Sequence, residues 1–235
     1  LAKLHVGDEI SNIEKIENIA KKHNIKVIYD AAHAFGSLYK GKSLLSFGDI
    51  STCSFHATKL FHTIEGGACI VKDKAVSDKL ELIKRFGHQG DEHFCLGINA
   101  KQSEMNAAMG LANFPYLKEI LSNRKRICDL YDSQLQRLIG RPKKQEDIVY
   151  NNAYYPVLFK DEKELLAVFA ALNEKQIYPR RYFYPSLNKL PYLKDAASCP
   201  ISEDITKRIA CLPLFNDMTD EQVQRVCDIL KGSLK

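Results

Sequence analysis

Val27-Ile28-Tyr29-Asp30-Ala31-Ala32-His33-Ala34-Phe35-Gly36, then Ser54-Phe55-His56-Ala57-Thr58-Lys59, then Glu65-Gly66-Gly67-Ala68-Cys69-Ile70-Val71 are the runs whose reading decides the fold of this 235-residue chain. Residues 25–29 read as a short buried strand that delivers Asp30 at its C-terminal end, where open α/β sheets place their ligands. Ahead of it, Ser11 and Glu14 form a capping-box pattern, and Ile13, Ile16, Ile19 and Ala20 share one face of a helix that stops near His23-Asn24. Helix and strand together make half of a βαβ unit. Residues 50–55 read as a second strand and residues 68–71 as a third, with a loop through Lys59 between them.

Working outward, Ser103 caps a long helix carrying Met105, Ala108, Met109, Leu111 and Ala112, and helical character resumes after Pro115 as far as Gly140. The polar segment 141–147 reads as a linker or hairpin loop. Beyond it come a strand over 153–159, a helix capped by Asp161-x-x-Glu164, a strand over 177–183, and a last helix opened by Thr219-x-x-Gln222 that buries Val223, Val226, Ile229 and Leu230. The expected architecture is α/β over residues 1–114, followed over 115–235 by a connecting helix and a small α+β domain.

The composition narrows the function. Against 29 acidic residues stand 34 basic ones, a net charge of +5, interspersed and without the like-charge run of a nucleic-acid-binding arm. No stretch approaches the roughly 20 apolar residues of a membrane span. Seven cysteines in no CxxC pair, mostly inside apolar segments, read as reduced, buried thiols of a cytoplasmic protein. Histidines without a paired HxxxH or a Cys/His cluster speak against a metal site.

Asp30 ends one strand and Lys59, 29 residues later, lies just past the end of another. That pair suits pyridoxal 5′-phosphate (PLP): a carboxylate beside the pyridine nitrogen favours its protonated form, and a lysine amine forms the Schiff base. Ser54, His56 and Thr58 are small or polar groups able to meet the cofactor phosphate. Taken singly, each residue also has an ordinary structural reading. A loop lysine is commonly a solvated charge, a strand-end aspartate commonly caps a turn, and Ser54 equally suits a buried serine bonded to backbone.

The three runs, together with Gly48-Asp49-Ile50, closely resemble the DegT/DnrJ/EryC1/StrS family of sugar aminotransferases, which have the aspartate aminotransferase fold. The resemblance continues through Gly97-Ile98-Asn99-Ala100-Lys101-Gln102-Ser103-Glu104-Met105, Arg181-Tyr182-Phe183-Tyr184-Pro185 and Cys211-Leu212-Pro213-Leu214. It implies that residues 1–114 are the C-terminal part of a PLP-binding large domain with a mixed, mostly parallel sheet. By the same resemblance Lys59 is the Schiff-base lysine, Asp30 the partner of the pyridinium nitrogen, His33 a neighbour of the cofactor's phenolic oxygen, and Ser54 a phosphate ligand. Asn99 would reach the phosphate of the neighbouring subunit's cofactor, which implies a homodimer with shared active sites. Lys101 departs from the arginine common two residues after that asparagine, keeping the charge without a planar fork. Tyr182, Phe183 and Tyr184 are candidates to line a nucleotide-sugar pocket, or else core aromatics.

The implied reaction moves an amino group from an amino acid, glutamate, to the ketone of a nucleoside-diphosphate keto-deoxysugar; the run from Arg180 to Leu187 is most similar to members acting on a dTDP-4-keto-6-deoxyhexose at C4. His56 and His62 flank Lys59, but the family pattern uses the lysine itself to carry the proton. The family's N-terminal phosphate loop and stacking aromatic have no counterpart in residues 1–10, so the chain is expected to be a fragment that is inactive alone. The alternative is a non-catalytic PLP-fold homologue with a regulatory or structural role.

Overall fold

The computed structural model describes residues 2–3 and 12–234. The chain divides into two compact units, Leu1–Glu119 with Gln145–Asn151, and Ile120–Lys144 with Asn152–Lys235. The division lies within a helix, five residues beyond the boundary expected after 114, and residues 145–151 return to the first unit.

The first unit is built on a four-stranded sheet. Its strands β1 (Ala2–Lys3), β2 (Ile28–Asp30), β5 (Ile50–Ser54) and β6 (Gly67–Val71) lie in the order β1-β2-β5-β6. The first two pairings are parallel and the last antiparallel, so the sheet is mixed and mostly parallel. Helix α1 (Ile13–His23) precedes β2; its N-cap is Asn12, whose side chain accepts the Lys15 N–H at 2.9 Å. The expected cap, Ser11, lies outside the described residues. Asn24 ends the helix in the left-handed conformation that asparagine tolerates.

The strand expected over 25–29 is shorter and less buried than its sequence predicts. Ile25 and Ile28 are exposed, and Tyr29 alone is fully enclosed. Tyr29 packs with Ile13, Ala31, Ala34, Leu44 and Ile148 in this unit's core. A meander of two-residue strands, β3 (Leu38–Tyr39), β4 (Lys42–Ser43) and β9 (Ile148–Val149), closes one side; β9 is the returning segment, with Leu38 opposite Val149. Helix α2 (Lys74–Ile83) is capped by Asp73. It leads to a hairpin of β7 (His88–Gln89) and β8 (Glu92–His93) and to α3 (Glu104–Asn113), whose cap is Ser103 as expected. On α3, Met105 and Leu111 are exposed.

The second unit packs α4 (Leu117–Leu135), α5 (Glu162–Glu174) and α7 (Asp220–Ser233) with an antiparallel pair, β10 (Tyr155–Leu158) and β11 (Ile209–Leu212). Helix α6 (Pro200–Arg208) runs directly into β11. Alternation along β10 puts Tyr155 and Val157 inward with Leu165, Val168 and Leu172 of α5 and Val223, Val226, Cys227 and Leu230 of α7. The predicted caps hold. Asp161 accepts the Glu164 N–H at 2.8 Å, and Thr219 and Gln222 form a reciprocal capping box.

Two expectations fail here. Residues 177–183 form no strand: Pro179 lacks a donor, and among the described residues the one ladder contact of this segment is the Arg180–Cys211 bridge. Helix α4 stops at Leu135 rather than Gly140. Of the seven cysteines, Cys53, Cys128, Cys211 and Cys227 are buried, whereas Cys69 and Cys199 are exposed. Among the described residues no helix is long and apolar enough to cross a membrane.

Candidate active site

Parallel pairing of β2 and β5 sets Asp30 opposite Thr52, so Asp30 and Ser54 emerge at the same end of the sheet. The Ala31 N–H donates to Thr52 O at 2.9 Å and the Thr52 hydroxyl to Tyr29 O at 3.4 Å, tying the two strand ends together. Asp30 is half-buried, and its Oδ1 accepts the Ala32 N–H at 3.2 Å. Among the described residues no other hydrogen bond reaches this carboxylate, which leaves acceptor capacity for a protonated ring nitrogen.

After Asp30 the chain turns tightly: the Ala34 N–H bonds Ala31 O and the Ser37 N–H bonds Ala34 O, each at 2.9 Å. Ala31 and Ala34 are completely enclosed, so the turn admits no larger side chain. Asn151, also buried, fastens it. Its Nδ2 donates to both His33 O and Phe35 O at 2.8 Å, and its N–H donates to the Ser37 hydroxyl at 3.1 Å. The result presents His33 Nε2 at 2.8 Å from Lys59 Nζ. Asn151 lies 118 residues from His33, and sequence reasoning missed it; an asparagine in a polar stretch carries no local signal of such a role.

Lys59 rides on a loop that closes on itself. The Phe55 N–H bonds Gly66 O, the Thr63 N–H bonds Phe55 O and the Lys59 N–H bonds His56 O, each at 2.9 Å. Phe35 and Phe61 stack with centroids 4.8 Å apart, Phe55 meets both edge-on, and Phe114 meets Phe61 edge-on, giving the loop an aromatic base. His56 Nδ1 accepts the Thr58 N–H at 3.2 Å, and His62 Nδ1 accepts the Ile64 N–H at 3.3 Å. Both flanking histidines thus brace their own turns, in keeping with a structural role. The Ser54 hydroxyl accepts the His56 N–H at 3.4 Å, and burial pushes the neighbouring Cys53 thiol up to about 11.

Two glycines close the loop for different reasons. At Gly66 (φ +154°) an added Cβ would lie 2.3 Å from Thr63 Oγ1; at Gly67 it would lie 2.7 Å from the backbone oxygen of Cys53. Backbone cannot step aside as a flexible side chain can. Gly67→Ala is therefore expected to destabilise the protein by about 1–3 kcal/mol, read from its urea midpoint. An unchanged midpoint would mean that β5 and β6 separate there without cost.

Asn99 lies on a different segment of the same unit. Its neighbours are strapped to the end of α2 by Ile98 N–H to Ile83 O at 2.8 Å and Ala100 N–H to Lys84 O at 3.0 Å, and Asn99 itself is exposed. Lys101 Nζ sits 4.7 Å above the Phe86 ring. Tyr182 and Tyr184 belong to the second unit. There Tyr182 stacks on Tyr154, a residue that sequence reasoning did not single out, and Tyr184 lies beneath the Arg181 guanidinium at 3.5 Å.

Residues 3–231 match the DegT/DnrJ/EryC1/StrS aminotransferase family. A dTDP-4-amino-4,6-dideoxy-D-glucose transaminase from Shigella dysenteriae is 33% identical over 238 residues, covering 97% of this chain and 64% of its own. A GDP-perosamine synthase from Escherichia coli O157:H7 is 32% identical over 228 residues, with 96% and 63% covered. The crystal structure of DesI in the presence of its TDP-sugar product matches with a TM-score of 0.88 at 28% identity, over 99% of this chain and 61% of that one. The chain spans just under two thirds of the length of these relatives.

Proposed function

The chain belongs to the DegT/DnrJ/EryC1/StrS aminotransferase family, and from that premise we propose that the intact protein uses PLP to move an amino group from L-glutamate to C4 of a dTDP-4-keto-6-deoxyhexose. The observation that carries this reading is the pairing of Lys59 Nζ with His33 Nε2 at 2.8 Å, beside the strand end that bears Asp30. Relatives named for 4-amino-4,6-dideoxyglucose and perosamine support amination of a nucleotide-linked sugar.

The residues present fit PLP. The Asp30 carboxylate keeps acceptor capacity, the Ser54 hydroxyl stands at the adjacent strand end, and the small turn residues Ala31 and Ala34 keep bulk away. When bound, PLP supplies an electron sink for charge developing at the substrate carbon. Asp30 would hold the pyridine nitrogen in its protonated form. Lys59 Nζ would hold the proton and return it at the substrate carbon, and His33 would orient that amine while facing the phenolic oxygen. Ser54 would bind the phosphate. Asn99 would bind the phosphate of the partner subunit's cofactor, making the intact protein a homodimer whose sites are shared.

With dTDP-4-keto-6-deoxyglucose and L-glutamate, the intact protein is expected to release the 4-amino sugar and 2-oxoglutarate, detected by mass spectrometry. Turnover confined to a 3-keto or UDP-linked sugar would overturn the substrate assignment.

A further inference from the structure

At the opposite end of the sheet from Asp30 and Ser54, the first unit holds a pocket of about 560 Å³ between α1 and the starts of β2 and β5. That volume lies within the roughly 300–1,000 Å³ of sites that enclose a small molecule. Val27, Phe47 and the Tyr29 ring give it apolar walls. Tyr29 is only 1% exposed, and Gly48 makes room for its ring: at Gly48 (φ +74°) an added Cβ would lie 2.7 Å from Tyr29 Cδ2. Yet the Tyr29 hydroxyl has no hydrogen-bond partner among the described residues. Buried hydroxyls are ordinarily satisfied, so an unpartnered phenol at a pocket wall has a hydrogen bond to give. Burial and the nearby Glu17 carboxylate push this phenol above its ordinary range, which keeps it a neutral donor at neutral pH.

The charges around the pocket do not cancel. Both carboxylates that line it are engaged: Glu17 pairs with Lys21 at 2.8 Å, and Asp49 accepts Lys26 Nζ at 3.1 Å and the Val27 N–H at 2.8 Å. Lys42 of β4 and Lys72, just past β6, also line it, and among the described residues neither has a carboxylate within ion-pair distance. Glu17 is held below its usual range by its hydrogen bond to Lys21 and then by the charge of Lys72, which places Lys72 beside the pocket's own ion pair. Two ammonium groups are thus left in excess around an apolar hollow that offers one free hydroxyl.

We propose that this pocket binds a small organic phosphate: its apolar body lies against Val27, Phe47 and the Tyr29 ring, one of its oxygens accepts from the Tyr29 hydroxyl, and its phosphate pairs with Lys42 and Lys72. Lysine meets phosphate as a point charge, and two of them offset the charge of about −1.5 to −2 that a phosphomonoester carries at neutral pH. The site lies apart from the candidate active site, because Val27 and Asp49 precede the strands whose far ends carry Asp30 and Ser54. It therefore does not depend on the amination reading.

Calorimetric titration of the intact protein with phenyl phosphate and with inorganic phosphate, free PLP having been dialysed away, tests the assignment. Phenyl phosphate should bind more tightly than inorganic phosphate, since only it fills the apolar walls. Tyr29→Phe, which removes the hydroxyl and keeps the ring, should weaken phenyl phosphate about tenfold. Lys42→Gln and Lys72→Gln should each weaken both probes, and both side chains are exposed, so folding is not at risk; circular dichroism is the control for Tyr29→Phe. Ser54→Ala should leave phenyl phosphate binding unchanged, which separates this pocket from the candidate cofactor site. A wild-type protein that does not bind phenyl phosphate would overturn the proposal. So would binding that is equal in wild type, Tyr29→Phe and Lys72→Gln, or binding lost in Ser54→Ala alone, or inorganic phosphate that binds as tightly as phenyl phosphate.

Discussion

Lys59→Ala, made in the intact protein, is expected to abolish the borohydride-trappable visible absorbance of bound PLP and to lower amino transfer by about 10³-fold or more, because in the proposed function one substitution removes both the covalent attachment point and the proton carrier. Folding should survive. The loop is closed by backbone bonds at 55–66 and seated on Phe35, Phe55 and Phe61, none of which depends on the lysine side chain. The spectrum of wild type and variant, taken before and after adding glutamate, checks the outcome. A wild-type protein without the trappable band would defeat the aminotransferase reading and favour a non-catalytic homologue. A variant that retained the band would assign the attachment to another lysine.

The second large effect concerns stability. Asp132 of α4 collects three donors: the Tyr155 hydroxyl at 2.8 Å, Lys144 Nζ at 3.1 Å, and the Arg141 guanidinium, which also lies 3.7 Å from the centre of the Tyr155 ring. Burial opposes ionisation of Asp132, yet the Tyr155 hydroxyl and the two cations outweigh it and hold the carboxyl below its ordinary range. Asp132→Ala strands these donors and is expected to cost about 2 kcal/mol, less than a fully buried pair would lose, since the Asp132 side chain remains 27% exposed.

The pH dependence follows from the direction of that shift. A depressed folded value means that the contribution is present above the unfolded pKa, about 4, and is lost as pH falls through the lower folded value. Wild type should therefore lose stability in acid more steeply than Asp132→Ala, while the gap between them stays constant from about pH 5 to neutrality. Urea melts at several pH values check both claims. A gap below about 0.5 kcal/mol at neutral pH would mean that water serves Arg141 and Tyr155 as well as Asp132 does.

Much of the local structure was legible in the chain because its signals are local. Ser103, Asp161 and Thr219 cap helices by reaching backbone three residues ahead, and those spacings are visible without a fold. Apolar periodicity likewise placed α7 and its buried Val223, Val226 and Leu230. The strand over 177–183 misled because its aromatic and β-branched content resembles a strand, while Pro179 withholds a donor and the aromatics stack on one another instead of alternating across a sheet. Met105 and Leu111, both exposed on α3, show that apolar character leads to burial only when an opposing surface is present.

For the site, the order and spacing of Asp30, Ser54 and Lys59, with the family motif around them, determined the candidate residues and the chemistry to expect. Tertiary structure alone decided that His33 Nε2 meets Lys59 Nζ, that Asn151 pins the turn from 118 residues away, and that Phe61 and Phe35 support the loop. The difference is physical. Caps, turns and strand-end residues act over three or four positions and leave their pattern in the chain, whereas a hydrogen bond or ring contact between remote segments depends on register and packing, which no local pattern records.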